Sequence, residues 1–275
     1  MKQGASRWLA AVFILLALAT PGHAQKVLSG KLTITGSSTV APLVSEIAKR
    51  FEQLHEGVRI DVQTGGSSRG ITDATRGTAD IGMSSRALKD SEKTNITPHT
   101  IARDGVAILV HASNPISDLD EAQILAIYKG ETKNWREVGG EDAAITVINR
   151  ADGRSELELF TEHFKVAASD LKASLISGEN QHGIKSVASD PNAIIYMSVG
   201  ASERAVANGE AVKLLKWNGI EASSATVASG KLPMHRPLIL VTRTDLSPLV
   251  SAFITYARSV EVHDLVKQLS YVPVE

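Results

Sequence analysis

Four short segments of the chain combine small hydroxyl side chains or arginine with nearby glycine, at points where a strand pattern gives way to a helix pattern. They are residues 37–39, 67–69, 84–86 and 150–155. Hydroxyls and arginine donate hydrogen bonds, and the free backbone N–H groups of a helix start add donors at the positive end of its dipole. Together such segments would bind an oxyanion, whereas each one alone also fits an ordinary N-cap.

The spacing of apolar residues predicts the elements that would position these segments. Alternating strands and helices indicate an α/β fold built on largely parallel sheets. Because open α/β sheets bind ligands outside the carboxyl ends of their strands, we expect the four segments to share one site. The expected strands are residues 32–35, 58–62, 80–85, 106–110, 145–149, 193–198 and 238–242, and the expected helices are 43–54, 71–76, 120–128, 156–164 and 251–257, with another helical stretch opening at Arg86.

A competing interpretation is a serine hydrolase, because residues 66–70 (GSSRG) match the G-x-S-x-G nucleophile elbow. Ser68 would be the nucleophile, with His235 or His263 as its base. Against this, the hydrolase fold needs several strands before the elbow, and only about 40 residues of the mature chain precede it. The eight histidines have no metal-binding spacing, so we expect no metal site. We expect a binding receptor without catalysis and without a cofactor.

The first 24 of the 275 residues read as a secretory signal peptide, in which Lys2 and Arg7 precede an apolar run from Trp8 to Ala19 and cleavage is expected after Ala24. Removing these two cations leaves 27 basic and 30 acidic side chains, a net charge of about −3, with no footprint of nucleic-acid binding. There is no cysteine for a lipid anchor, a disulfide or a thiolate site. We therefore expect a soluble periplasmic protein.

An ordered series of motifs along almost the whole mature chain resembles the phosphate-binding proteins of ABC phosphate importers. The motifs are residues 36–43 (GSSTVAPL), 65–70 (GGSSRG), 79–86 (ADIGMSSR), 134–135 (NW), 150–153 (RADG), 192–196 (NAIIY), 219–220 (GI) and 230–238 (GKLPMHRPL). The resemblance implies the two-lobed type II periplasmic-binding-protein fold, in which main-chain N–H groups, hydroxyls and an arginine hold phosphate in the cleft. It also implies a membrane permease as partner, and we expect a monomer.

The candidate ligand-binding residues combine the resemblance with the four segments. By motif position the resemblance points to Ser38, Thr39, Val40, Ser67, Ser85 and Arg150. The segments add Ser68, Arg86, Gly153, Arg154 and Ser155. Arg150 would supply a bidentate fork to the anion, and Asp152 would orient it.

Departures from the family pattern at Ser85 and in the fourth segment leave the ligand open. Ser85 stands where many members carry an aspartate that accepts a proton from phosphate, so sulfate would be repelled less strongly here. In the fourth segment Arg154, Ser155 and Glu156 replace Ser, Gly and Thr. Ser155 with Glu158 reads as a capping box, and the alternative is that Arg154 adds charge while Glu156 accepts the proton. The ligand is thus phosphate, another oxyanion or a phosphorylated small molecule.

The breaks after apolar strands, together with the resemblance, predict how the chain divides. Residues 25–108 and 235–275 would form the first lobe, and residues 109–234 the second. Hinges are expected near Val110 and Leu238.

Overall fold

The computed structural model describes residues 28–274, so the predicted signal peptide lies outside the described residues. Between these limits no helix is long and apolar enough to cross a membrane. The strands are β1 (Ser29–Gly36), β2 (Gly57–Thr64), β3 (Ile81–Ser84), β4 (Ile96–His111), β5 (Asp118–Leu119), β6 (Thr146–Arg150), β7 (Leu175–Ser177), β8 (Ala193–Ser198), β9 (Val212–Leu214), β10 (Lys216–Trp217), β11 (His235–Arg243) and β12 (Val272–Pro273). The helices are α1 (Ala41–Leu54), α2 (Ser67–Arg76), α3 (Glu121–Tyr128), α4 (Ser155–Phe164), α5 (Asn180–Ser189), α6 (Val199–Ala207), α7 (Ser224–Ala228), α8 (Pro248–Ala257) and α9 (His263–Gln268).

The first half of the molecule is a sheet in the order β2-β1-β3-β11-β4, with helices on both faces. Strands β1, β2 and β3 are parallel, and β11 is antiparallel to its two neighbours. Helix α1 buries Leu43, Ile47 and Phe51 because they recur on one face, and Phe51 packs edge-on against Phe253 of α8 with ring centroids 5.4 Å apart. Helix α2 covers the opposite face through Ile71 and neighbouring apolar residues.

The second half continues the sheet in the order β4-β8-β6-β7. Strand β8 is parallel to β6 and antiparallel to β4. Helices α3 and α4 pack over an aromatic core in which the rings of Phe160 and Tyr196 stack at 4.2 Å, and helices α5 and α6 cover the other face. Leu157 and Phe160 anchor α4, which places the start of this helix at the junction of the halves.

Strand β4 belongs to both halves and changes partner along its length. Residues 96–105 pair with β11, whereas residues 106–110 pair with β8. At the change stands Gly105, where an added Cβ would come within 2.4 Å of the Leu232 side chain. Strand β4 changes partner before the hinge expected near Val110. The other expected hinge, near Leu238, falls within β11, which starts at His235. The lobe boundaries stay a prediction.

The predicted α/β class is confirmed, with three differences of detail. The sheet is mixed rather than largely parallel, because β11 runs antiparallel to β3 and β4, and β4 runs antiparallel to β8. Helix α2 begins at Ser67 instead of residue 71. The helical stretch predicted to open at Arg86 is wrong: only a single 3₁₀ turn, Asp90–Glu92, forms there, while the Arg86 side chain is buried among carboxylates.

Candidate functional site

The four hydroxyl-rich segments follow the carboxyl ends of β1, β2, β3 and β6. Close backbone contact fixes the first two, since a Cβ on Gly36 would lie 2.2 Å from the Met83 carbonyl oxygen and one on Gly70 would lie 2.6 Å from the same atom. Only glycine allows helix α2 to approach β1 and β3 this closely. The first three segments therefore lie together at the carboxyl ends of the parallel strands β1, β2 and β3. Strand β6 runs in the opposite direction, so the fourth segment faces them from the second half.

Serine hydroxyls from all four segments form one buried cluster. The Ser85 oxygen lies 2.8 Å from that of Ser37, 2.6 Å from that of Ser155 and 3.4 Å from that of Ser67. The Ser85 backbone N–H also donates to the Ser67 hydroxyl at 3.1 Å. Each of these residues is at most 3% exposed. Because Ser155 comes from the second half, the cluster joins the two halves directly.

Beside this serine cluster, Arg236 of β11 pairs with carboxylates from both halves. Its Nη2 lies 2.9 Å from Asp104 Oδ2 and 2.8 Å from Glu156 Oε1, and its Nη1 donates to the Ser155 hydroxyl at 2.9 Å. Thr39 donates its hydroxyl to Glu156 Oε1 at 3.0 Å. We call Arg236, Asp104, Glu156, Thr39 and the neighbouring Arg150 the buried cluster.

Arg150 is held from its own half of the molecule. Its Nη2 donates to Asn180 Oδ1 at 2.9 Å and to the Gly178 carbonyl at 3.2 Å, and it lies 3.8 Å from Glu156 Oε2. Its buried Nε has no hydrogen-bond partner among the described residues. Asp152, predicted to orient Arg150, is exposed and forms no ion pair with it, because the Arg150 side chain turns inward towards Asn180.

Burial and opposite charge compete at each charged group of the buried cluster. Burial alone would raise the pKa of the Glu156 carboxyl, but Arg236 and Arg150 lower that pKa to about 2. Burial by itself would lower the pKa of Arg236, but Glu156 and Asp104 outweigh burial and hold this pKa above its ordinary value. For Arg150 burial prevails and lowers the pKa, although Glu156 opposes this. Glu156 is therefore ionised.

The first predicted segment contributes unequally. Thr39 is buried, donates to Glu156 and accepts from Asn180 Nδ2 at 3.1 Å. Ser37, rather than Ser38, enters the serine cluster, and its hydroxyl accepts the backbone N–H groups of Thr39 at 3.2 Å and Val40 at 3.4 Å. Ser38 is half-buried and lines a separate cavity of about 430 Å³.

Ser68 and Arg86 lie together in a second group of polar and charged side chains, outside the serine cluster. Arg86 makes a bidentate pair with Glu92 at 2.7 and 2.8 Å, and its Nε lies 3.0 Å from Glu158 Oε2. Glu158 also lies 2.6 Å from the Lys89 ammonium and accepts the Ser68 hydroxyl at 2.8 Å. We call these five residues the outer cluster.

Gly153 and Arg154 of the fourth segment contact residues of both halves. The Gly153 carbonyl accepts the Ser68 backbone N–H at 3.3 Å, and Arg154 pairs with Glu179 at 2.9 Å. The expected capping box is wrong, because α4 starts at Ser155 itself and its N-cap, Arg154, makes no side-chain cap bond. The Ser155 hydroxyl instead contacts Arg236 and the Ser85 hydroxyl, and Glu158 joins the outer cluster.

Sequence reasoning missed three residues of the site: Arg236, Asp104 and Asn180. Arg236 stood within a motif of the resemblance, but its partner Asp104 is 132 residues away in the chain. Burial of both side chains, not spacing, reveals that pair. Within residues 28–274 no group of three or more His, Asp or Glu side chains is arranged to hold a metal ion.

Two α/β halves that share a crossing strand, with polar groups gathered where they meet, define the architecture of a solute-binding protein. The chain belongs to the PBP superfamily, whose domain model matches residues 20–261. The resemblance found in the motifs is thereby confirmed at the level of the family.

Several relatives are named for phosphate. The chain is 28% identical over 251 residues to the phosphate-binding protein PstS of Bacillus subtilis, covering 90% of this chain and 81% of the relative. It is similar to a crystal structure from Clostridium perfringens described as a phosphate ABC transporter substrate-binding protein with bound phosphate, at 32% identity and a TM-score of 0.84, covering 90% of this chain and 100% of that one. An ABC-type phosphate transport receptor from Vibrio cholerae gives 28% identity and a TM-score of 0.72, covering 88% and 100%.

Proposed function

We propose that this chain captures phosphate between its two halves and delivers it to the membrane permease of an ABC importer. The observation that carries the proposal is the meeting of Arg150 and Arg236 with serine and threonine hydroxyls from four strand ends at one buried place. Charge-assisted and neutral donors of this kind suit a dehydrated oxyanion. The relatives named for phosphate binding and phosphate transport support the choice of ligand.

A different oxyanion or a phosphorylated small molecule is the alternative ligand. Ser85, which carries no charge, lies at the centre of the serine cluster, 2.8 Å from Ser37 and 2.6 Å from Ser155. A hydroxyl there would repel a fully ionised sulfate less than a carboxylate would. The choice between the two oxyanions therefore depends on the neighbouring charges.

We also propose that the chain is a receptor without catalytic activity. Ser68, the candidate nucleophile, donates its hydroxyl to Glu158 and accepts from Arg86 Nη2 at 3.4 Å. Among the described residues no histidine lies within hydrogen-bonding distance of it, so the histidine base of a serine hydrolase is not in place. The carboxylate that accepts its proton, Glu158, is already paired with Arg86 and Lys89, which weakens it as a base. Labelling with a fluorophosphonate tests this, and modification of Ser68 would contradict it.

The proposed setting is the periplasm, with export directed by residues 1–24 and a mature monomer that begins at Gln25. The support is the short apolar run that ends before Ala24 and the lack of any cysteine for lipid attachment. N-terminal sequencing and sedimentation of the exported protein test both points. Recovery of Met1 in a membrane fraction would contradict the first.

The direct test is isothermal titration of refolded, ligand-stripped protein with phosphate, sulfate, molybdate and arsenate. Saturable binding of phosphate, and weaker or no binding of sulfate, is the expected result. Refolding removes any ligand retained from the cell. Binding of sulfate in preference to phosphate would assign the alternative oxyanion, and no binding of any of the four would reject the proposal.

A further inference from the structure

Glu156 is the carboxylate that links the two halves within the buried cluster. It belongs to α4 of the second half, yet its Oε1 accepts from Arg236 at 2.8 Å and from Thr39 at 3.0 Å, and both partners belong to the first half. Its Oε2 lies 3.8 Å from Arg150 and 3.5 Å from the Ser155 hydroxyl. Only 3% of the residue is exposed.

These contacts are the ones an oxyanion would make in this cleft. An anion held by the predicted residues would take the Thr39 hydroxyl, the Arg150 guanidinium and donors at the start of α4. The Glu156 carboxylate already accepts the Thr39 hydroxyl and lies 3.8 Å from the Arg150 guanidinium and 3.5 Å from the Ser155 hydroxyl. Its own backbone N–H contributes to lowering its pKa, as expected for an acid at the positive end of a helix. The carboxylate thus satisfies donors that a ligand would require.

The charges of the buried cluster already balance. Arg150 and Arg236 carry two positive charges, while Asp104 and Glu156 carry two negative ones. A doubly charged anion added to this set would leave two uncompensated negative charges in a region removed from water, which is strongly unfavourable. If Glu156 leaves the cleft, the remaining three groups carry a net positive charge, and the anion is attracted instead.

We propose that Glu156 is an affinity- and specificity-determining residue that acts as a tethered anion: its carboxylate closes the empty cleft, and the ligand must displace it to bind. This inference rests on the proposed function, namely oxyanion capture between the halves. It makes affinity lower than an unobstructed cleft would give, because every binding event includes breaking the contacts of Glu156 with Arg236 and Thr39. It also makes closure independent of ligand.

The first experiment measures phosphate affinity of the full mature chain by isothermal titration at pH 7. Glu156→Gln removes the charge and keeps the shape, and Glu156→Thr restores the residue type of the family pattern, so one variant serves if the other misfolds. We expect each to bind phosphate at least tenfold more tightly than the wild type. Glu162→Gln is the matched control, because Glu162 lies exposed on the same helix, and it should change nothing.

The second experiment measures closure without ligand and does not depend on which anion binds. Spin labels at Thr94→Cys and Ala168→Cys, two exposed positions in different halves, report the distance across the cleft in a chain with no other cysteine. Ligand-free wild type should show the short distance, and ligand-free Glu156→Gln should show a longer one that phosphate shortens.

The outcomes separate the two proposals. Phosphate affinity in either folded variant that is equal to or lower than in the wild type, or a Glu156→Gln chain that remains closed without ligand, would overturn the tethered anion. If neither wild type nor variants bind phosphate, the proposed function fails. In that case the distance measurement alone decides on the tether, and opening of the ligand-free variant supports it.

Discussion

Helix α4 supplies one carboxylate to each of the two charge clusters that join the halves, and the two differ in their access to water. Glu156 in the buried cluster has a side chain that is 3% exposed, and its partner Arg236 is fully buried. Glu158 in the outer cluster is 22% exposed, and its partner Lys89 is 61% exposed. Two residues of one helix therefore experience very different dielectric surroundings.

This contrast predicts which cluster contributes more to stability and to ligand binding. In the buried cluster each lost partner leaves an uncompensated charge in a dry place, which costs several kcal/mol. In the outer cluster Glu158 and Lys89 reach water, which replaces a lost partner there, and salt screens the charges that remain. Removing the corresponding groups from the two clusters should thus give large effects at Glu156 and its partners, and small effects at Glu158.

The largest expected effect is on stability, from Arg236→Met. This change leaves Asp104 and Glu156 buried without their shared cation, so we expect the free energy of unfolding to fall by about 3 to 5 kcal/mol. Urea denaturation at pH 7 measures it. Arg243→Met on the same strand is the control, because Arg243 is 44% exposed and should cost less than about 0.5 kcal/mol. Equal losses at both sites would remove the distinction between buried and exposed charges.

The next effect is on ligand affinity, from Arg150→Ala. The loss of a buried cation facing the anion should weaken phosphate binding by about 2 to 5 kcal/mol, against about 1 kcal/mol or less for Ser68→Ala. Ser68 contacts Glu158 in the outer cluster, so its hydroxyl has only an indirect effect. Titration of both folded variants decides the matter, and equal losses would place Arg150 outside the binding site.

The third effect is the pH dependence that Glu156 imposes. Its pKa is lowered from 4.5 to about 2 in the folded chain, so its contribution to stability is complete above pH 4.5 and disappears as the pH falls towards 2. The difference in unfolding free energy between wild type and Glu156→Gln should therefore shrink on acidification, by on the order of 3 kcal/mol. Chemical denaturation between pH 7 and pH 2.5 measures it, and a constant difference would contradict the lowered pKa.

The elements of the fold were largely predictable from the sequence because strand and helix patterns are local. Strand β8 has the predicted bounds, and α1 follows the apolar spacing of Leu43, Ile47 and Phe51. Strand β4 was predicted only as residues 106–110, because its first part carries Pro98 and alternating polar residues that pair with β11. Pairing with a strand more than 100 residues away leaves no mark in the local pattern.

The site was predictable as a set of donors but not as a set of pairs. Ser67, Ser85, Arg150 and Ser155 all lie buried near one another, as their positions after strands suggested. The partner of each arginine was not predictable, since Arg86 and Arg154 form ion pairs with carboxylates outside the serine cluster. Spacing shows which residues follow strand ends, whereas the choice of ion-pair partner depends on contacts between distant segments.

The smallest expected effect comes from the outer cluster, through Glu158→Gln. Glu158 pairs with Arg86 and Lys89 of the other half, so its loss should destabilise the chain by about 1 kcal/mol. Arg86 keeps its bidentate partner Glu92, which limits the cost.

Because Lys89 is mostly exposed, raising NaCl from 0.05 to about 0.5 M should shrink the difference in unfolding free energy between wild type and Glu158→Gln, as the Debye length falls well below 10 Å. Urea denaturation at both salt concentrations measures this, with Glu156→Gln as the comparison: water is excluded around Glu156, so its larger cost should hardly change with salt. A Glu158→Gln cost that is as large as that of Glu156→Gln and insensitive to salt would mean that the outer cluster is dry when the halves meet, and that both carboxylates of α4 act alike.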